Sequence, residues 1–425
     1  MGHATILRGG RLIDPVNGID EIRDVAFRDG VMAPPESAGG AEILDVSGLV
    51  IAPGFVDLHV HLRDPGQTHK EDMGTCTLAA VHGGFTTVLG MPNTRPPADC
   101  PEVVADILER AVAQAHCQVL QTGALSVGRW GKELTDYAAL KAAGATVLTD
   151  DGSCIQDAAL MLQALQRAKA CGLPVIEHCE DDAVCAGGVM HHGTVSERLG
   201  LPGQRYATED LIVARDAVLS AEADWPIHVQ HISTAGAVEM VRRAQARGIR
   251  MTAEAAPHHI LLTDEAVEKY GTNAKMNPPL REETDRLAIL EGLRDGTITA
   301  IATDHAPHTA EEKAAGMETA PAGIIGLEAV VPLCLTALVH GGVLTLPQFI
   351  STLTRGPREV LGLPVGSLET GAVADLVLLD VDHEHELCVA DFHSRSLNCP
   401  YDGWSCRGRA VGTLFHGCWA VSPRV

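Results

Sequence analysis

The chain reads as an α/β protein: a (β/α)8 barrel carrying a small β-sandwich domain built from both chain ends. Three observations lead there. Apolar strand-like runs alternate with amphipathic helical stretches through the middle of the 425-residue chain. Both ends are short, turn-punctuated strands instead. The Gly-rich signature G-x-G-x-x-G of a doubly wound dinucleotide fold does not follow the first strand of the middle region, and the phosphate loop G-x-x-x-x-G-K-[ST] is missing.

The N-terminal region supplies Ala4-Thr5-Ile6-Leu7-Arg8, Asp24-Val25-Ala26-Phe27, Glu42-Ile43-Leu44-Asp45-Val46 and Leu49-Val50-Ile51. The same texture returns in Ala374-Asp375-Leu376-Val377-Leu378-Leu379-Asp380 and Ala410-Val411-Gly412-Thr413-Leu414-Phe415. Termini often lie close in space, so residues 1–54 and 365–425 are expected to pair as one sheet domain around a barrel of residues 55–364. Barrel strands are expected at 55–61, 86–91, 118–123, 145–149, 173–178, 227–231, 250–255 and 299–303, with helices at 101–115, 157–171 and 235–247 among the connections.

Composition narrows the function classes. A net charge of -23 argues against nucleic acid, whose phosphates are met by clustered Lys and Arg. The 46% hydrophobic content allows a large core, yet aromatics are only 3%, so aliphatic residues must fill it. Twelve scattered cysteines without a C-x-x-C pair, and a start without a secretory pattern, lead to the expectation of a reduced, cytoplasmic protein. No apolar run approaches the ~18 residues of a membrane span.

The active site of such a barrel lies at the C-terminal ends of its strands. There the first strand ends in His59-Val60-His61, two imidazoles about 7 Å apart along the backbone on one face. The fourth runs into Asp150-Asp151-Gly152, the fifth delivers His178, the sixth His231, and the eighth Asp304 within Thr303-Asp304-His305-Ala306-Pro307-His308. Any one of these is an ordinary strand-end or turn residue. Six ionisable groups crowded on one rim without a cation would suffer repulsion and desolvation. Imidazole and carboxylate donors suit Zn2+, with Mn2+ or Co2+ as substitutes, and six ligands exceed the needs of a single catalytic ion. Spacing alone leaves Asp150 and Asp151 open.

Seven stretches carry a resemblance: Pro53-Gly54-Phe55-Val56-Asp57-Leu58-His59-Val60-His61-Leu62-Arg63-Asp64-Pro65-Gly66, Gly90-Met91-Pro92-Asn93-Thr94, Thr149-Asp150-Asp151-Gly152, Glu177-His178-Cys179-Glu180-Asp181, Val229-Gln230-His231-Ile232-Ser233-Thr234, Lys275-Met276-Asn277-Pro278-Pro279-Leu280-Arg281 and 303–308. With them the chain resembles the amidohydrolase superfamily and, within it, the bacterial class I dihydroorotase family. The resemblance implies zinc-dependent, reversible hydrolysis of L-dihydroorotate to N-carbamoyl-L-aspartate in pyrimidine synthesis. It implies a first zinc on His59, His61 and Asp304, a second on His178 and His231, and a bridge between them by Asp151 and hydroxide. Asp304 would also be the catalytic proton shuttle. Arg63, Asn93, Asn277, His308, Ala322 and Gly323 would hold the substrate, the last two through backbone groups at the end of a mobile loop. Family members often carry Phe at the position of Ala322.

Many relatives bridge their metals with a carboxylated lysine. The nearest candidate, Lys141, falls in the helix-like segment 136–143 and is expected to point away. That leans against hydantoinase, dihydropyrimidinase and allantoinase, the alternative cyclic amidases. An inactive scaffold of aspartate transcarbamoylase would tend to lose ligands, and all six are present here; association with that enzyme could still coexist with activity, and a homodimer is what the resemblance implies. Three further features are expected to be inert. His191-His192 reads as a solvent-facing pair, Pro257-His258-His259 as a surface turn, and Glu311-Glu312-Lys313 as a solvated face or helix start.

Overall fold

The structure, a computed structural model, describes residues 4–37, 40–364 and 366–423. The expected domain junction at 365, the first three residues and the last two lie outside the described residues. Eight parallel strands form one sheet: β1 Phe55–Val60, β2 Phe85–Gly90, β3 Gln118–Gly123, β4 Ala145–Leu148, β5 Val175–Glu177, β6 Ile227–Val229, β7 Met251–Ala255 and β8 Ala300–Ile301. They pair in chain order from β1 to β8. The ring closes where the backbone beyond β8 reaches β1, with a parallel bridge between Val60 and His305 and a bond from the His61 amide to the His305 carbonyl at 2.9 Å.

Closure also uses a buried carboxylate. Asp57 Oδ1 accepts from the Thr303 and His59 amides, each at 3.1 Å, and Oδ2 accepts from the Thr303 hydroxyl. Burial pushes the Asp57 carboxyl up to about 6 despite these donors. This side-chain bracket takes the place of a longer ladder, which explains why β8 spans two residues where the pattern predicts five. The other expected strands are found within a few residues of their predicted bounds. Pro174 cannot donate a ladder hydrogen bond, and β5 accordingly starts just after it.

Val56 and Leu58 of β1, Leu89 of β2, Val147 of β4, Ile176 of β5 and Ala300 of β8 share one buried cluster. Strands on opposite sides of a ring touch only across its interior, so these aliphatic side chains fill the barrel below its mouth. A larger core lies between the strands and the outer helices, among them Met73–His82, Pro101–Gln114 and Ala158–Cys171. Asp72 and Asp157 start two of these helices by accepting amide hydrogens of the first turn.

Both chain ends build the expected sandwich. A six-stranded sheet places Val50–Pro53 beside Leu376–Glu386, with Leu376 opposite Pro53 and Leu379 opposite Val50. A four-stranded sheet is built from Ala4–Arg8, Val25–Arg28, Val31–Ala33 and Glu42–Asp45. Leu7, Phe27 and Val46 from the smaller sheet side meet Ile51, Leu376, Leu378 and Leu414 from the larger sheet in one core. The sequence reading overlooks the strands Arg11–Asp14, Ile19–Ile22, Val31–Ala33 and Cys418–Val421. Ile19–Ile22 is Ile-Asp-Glu-Ile at the sheet edge, almost wholly exposed, so burial never imposed an apolar pattern on it.

Candidate metal centre and substrate cavity

All six expected ligands meet at the C-terminal mouth of the barrel. His59 Nε2 lies 3.2 Å from Asp151 Oδ1 and 3.5 Å from Asp304 Oδ1. His61 Nε2 lies 3.2 Å from Asp304 Oδ1 and 3.7 Å from Asp151 Oδ2. On the other side of Asp151, His231 Nε2 stands 3.7 Å and His178 Nδ1 4.0 Å from its Oδ1, with the two ring nitrogens 2.9 Å apart. The groups His59–His61–Asp151 and Asp151–His178–His231 each bring their donor atoms within 4.8 Å of one another. Asp151 belongs to both. Asp150 turns away instead, held by the Ser126 amide at 2.9 Å and the Ser126 hydroxyl.

The donor set fits metal ions. His59 Nε2 is buried, 3.2 Å from Asp151 Oδ1 and without a well-formed hydrogen bond. Its Nδ1 faces Glu254 Oε1 at 3.0 Å, so the proton belongs there and the Nε2 lone pair aims at the carboxylates. A positive charge has to stand between Nε2 and these carboxylates, a proton or, where this many nitrogen and oxygen donors converge, a metal cation. His61 is set in the same manner by Asn93 Oδ1 at 3.0 Å, and His178 by Glu180 Oε2 at 3.4 Å.

Electrostatics follow the crowding. Burial works against the charged His59 ring, yet attraction to Asp151 and Asp304 outweighs it and raises its pKa. Burial likewise opposes ionised Asp304, but His59 and the hydrogen bond from His61 hold it far below the ordinary carboxylate range. The backbone is strained here as well. Among the described residues eight non-glycine positions have positive φ, and Arg63 (59°), His231 (31°) and Asp304 (48°) are three of them. Each costs about 1–3 kcal/mol, and such strain collects at functional sites.

A cavity of about 220 Å³ opens over the cluster, lined by Arg63, Asn93, Asn277, His308, Ala322 and Gly323 together with five of the six ligands. His59 is enclosed behind them. Arg63 is 8% exposed and, among the described residues, forms no ion pair with a carboxylate. Its Nε donates to the Pro307 carbonyl at 3.2 Å and its Nη2 lies 3.3 Å from His308 Nε2. Burial lowers the guanidinium to about 10, and burial plus Arg63 and Lys70 lowers His308 to about 2, leaving a neutral imidazole beside a charged arginine. Asn277 Nδ2 reaches His178 Nε2 at 3.3 Å. Gly323 has φ +109°, and a Cβ there would meet the Ala306 Cβ at 2.5 Å, so only glycine lets the 323 backbone approach the wall.

Several residues depart from expectation. His191 is buried, with Nδ1 3.3 Å from Arg281 Nη1, and is not solvent-facing; its strand pairing with Gly203–Gln204 draws it inward. His258 and His259 are buried too. Pro257 opens a short helix, Pro257–Leu261, at the end of β7, which carries His258 Nε2 to 3.9 Å from Asp304 Oδ2. Helix Ala310–Lys313 does start where expected, but Lys313 is buried, donating to the Pro321 and Gly323 carbonyls at 3.1 and 2.9 Å. Lys141 Nζ donates to the Cys171 carbonyl, and no lysine lines the cavity among the described residues. Glu254 was missed entirely. It accepts from His59 and, through Oε2, lies 3.1 Å from His228 Nε2; a fully buried glutamate inside the apolar strand Met251–Ala255 was the available signal.

Comparison with known proteins identifies the family and the fold. The family model described as Dihydro-orotase-like matches residues 48–237. A dihydroorotase of Bacillus cereus is 47% identical over 397 residues, 93% of each chain, and one of Bacillus thuringiensis is 46% identical over the same share. Among solved structures, the L-hydantoinase (dihydropyrimidinase) of Arthrobacter aurescens superposes with a TM-score of 0.88 at 24% identity, covering 100% of this chain and 98% of its own. The dihydropyrimidinase of Brevibacillus agri gives 0.86 at 22% identity, covering 100% and 96%. At such identities these two report the shared fold.

Proposed function

Because this chain belongs to the dihydroorotase family of cyclic amide hydrolases, we propose that it interconverts L-dihydroorotate and N-carbamoyl-L-aspartate by zinc-dependent hydrolysis of the ring amide. The observation that carries the substrate choice is Arg63, a buried guanidinium without a carboxylate partner, facing the cavity beside the donor cluster. A hydantoin or dihydrouracil ring has no carboxylate to offer it; dihydroorotate has one, and the planar fork of arginine receives it through two parallel hydrogen bonds.

His59, His61 and Asp304 would hold one zinc ion, His178 and His231 the second, and Asp151 would contact both. When bound, the ions supply Lewis acidity toward the ring carbonyl and make a nearby water more acidic. Arg63 anchors the substrate carboxylate, with His308 and the backbone of Ala322 and Gly323 closing around the ring. Asn93 keeps its carbonyl on His61 and presents its amide nitrogen to the cavity, whereas Asn277 holds its Nδ2 beside His178 and its Oδ1 accepts from Gln204 at 3.3 Å, so that it shapes the cavity wall. Asp304 takes one proton of the attacking water and gives it to the ring nitrogen as the amide C–N bond breaks; the water oxygen ends on the carbonyl carbon as a carboxylate, and the second water proton leaves to solvent. Run backwards, the same atoms close the ring. His258, beside Asp304, is held uncharged by burial at about 4, so it adds no competing positive charge.

The reading places the enzyme in pyrimidine synthesis, in the cytoplasm and as a homodimer; no helix among the described residues is long and apolar enough to cross a membrane. It also allows association with aspartate transcarbamoylase. The test is a parallel assay of L-dihydroorotate, dihydrouracil and allantoin on protein whose zinc content is measured. Turnover of dihydroorotate alone, lost when zinc is stripped and regained when it is restored, is expected. Preference for dihydrouracil would overturn the substrate, and full activity without metal would overturn the chemistry.

A further inference from the structure

A second cavity, of about 360 Å³, opens at the C-terminal end of helix Met73–His82, and its wall includes His82, Glu328, His385, Asp391, His393 and Arg409. Three of these converge. The rings of His82 and His393 stack with centroids 3.6 Å apart and planes 16° apart. Glu328 accepts from the His393 backbone amide at 2.7 Å, and its Oε1 lies 2.8 Å from His393 Nδ1. One donor atom from each side chain lies within 4.8 Å of the other two.

We propose that His82, Glu328 and His393 form a further binding site for a divalent transition-metal ion, zinc in particular, separate from the active centre. Two imidazoles and one carboxylate are a donor set that zinc accepts, with water from the cavity completing its shell. The Glu328 side chain is only 8% exposed, and among the described residues its one ion-pair partner is His393, with no lysine or arginine. Burial raises its pKa, as it does for a carboxylate that lacks a strong cation. Arg409 on the same wall opposes a cation, and the proposal requires the three donors to outweigh it. The stacked rings must open to aim both lone pairs at one point, a motion that the broad χ2 torsion of histidine allows.

The site joins three separated parts of the chain: the end of an outer helix, the segment before Val330–Cys334, and the C-terminal stretch at 393.

The experiment uses full-length enzyme saturated with zinc and dialysed against one zinc-buffered solution, followed by elemental analysis of wild type, His82→Ala and Glu328→Gln. Each variant is expected to hold one zinc ion fewer than wild type while turning over substrate as wild type does. The comparison is a difference, so it stands whatever the occupancy of the active centre. Zinc-edge anomalous diffraction from wild-type crystals, which needs no variant, should place a peak among the three side chains. Equal zinc counts in wild type and His82→Ala, or an anomalous map without that peak, would overturn the proposal.

Discussion

Replacing Arg63 by methionine separates substrate recognition from folding more cleanly than any other change at the mouth. The guanidinium is buried without a carboxylate, and burial has drawn its pKa down to about 10. Its present contacts are to the Pro307 carbonyl and a neutral His308 ring. A charge held in this state costs the folded protein stability, because water solvates it better than one carbonyl and one imidazole do. Methionine fills much of the same volume without that cost, so Arg63→Met should leave the melting temperature unchanged or raise it. The substrate tells the opposite story. Removing one member of a buried, hydrogen-bonded charge pair costs roughly 2–5 kcal/mol, and at ~1.4 kcal/mol per tenfold this is about 30- to 4,000-fold in kcat/KM. The loss should lie mainly in KM, since the carboxylate is remote from the bond that breaks and is held alike in ground and transition states. Steady-state assays with L-dihydroorotate and N-carbamoyl-L-aspartate, beside a thermal melt, measure both halves. An unchanged KM for either substrate would refute the assignment of Arg63, and a large drop in melting temperature would refute the account of its burial.

Four other outcomes follow from the geometry. Asp304→Asn should keep zinc bound by elemental analysis while lowering kcat by about 10²–10⁴, the usual contribution of a positioned proton carrier; normal turnover would remove that role. Glu254→Gln, which weakens the group that orients His59, should loosen zinc about 10–100-fold in a chelator competition, and an unchanged affinity would reduce Glu254 to a packing residue. Lys313 has its pKa lowered by burial to about 7 from 10.5, so between those values the unfolded chain holds a proton that the folded one lacks and stability rises with pH. Lys313→Met should flatten that rise, up to ~1.4 kcal/mol per pH unit, in melts recorded across the window; identical pH slopes would refute the buried-lysine account. Asn398→Ala removes hydrogen bonds to the Ala306 and Gly323 carbonyls and the His308 amide and should lower the melting temperature and raise KM together, whereas a variant with wild-type values in both would show these bonds to be dispensable.

The sequence displayed the barrel well because its strands are buried on both faces and read as short, mostly apolar or β-branched runs, as Phe55–Val60 and Phe85–Gly90 do. The ligand set was legible for a related reason: polar residues at the ends of such runs stand out against their background. The misread histidines show where this stops. Nothing in Pro257-His258-His259 records that the proline starts a helix turned toward the mouth, and nothing in His191-His192 records that Arg281, ninety positions away, covers the first ring. Those outcomes depend on tertiary packing, to which local pattern is blind. The choice between Asp150 and Asp151 is similar: Ser126 claims the first and frees the second, through a contact across β3 and β4.

The same logic explains why the C-terminal end belongs to the site although it contributes no ligand. Asn398 Nδ2 donates to the Ala306 and Gly323 carbonyls at 3.0 and 3.2 Å, and its Oδ1 accepts from the His308 amide at 3.0 Å. One side chain therefore ties together two of the backbone segments that wall the substrate cavity, at three points. Four residues earlier, Ser394 and the Arg395 amide hold Glu71, whose Oε2 lies 3.4 Å from His305 Nε2, next to Asp304. The loop after β8 is strained at Asp304 and has almost no ladder of its own. It keeps its conformation because buried hydrogen bonds from outside the barrel over-determine it. Returning the chain end to the mouth thus serves the placement of Asp304 and His308, and a barrel cut off before residue 393 would keep every expected ligand while losing the frame that aims them.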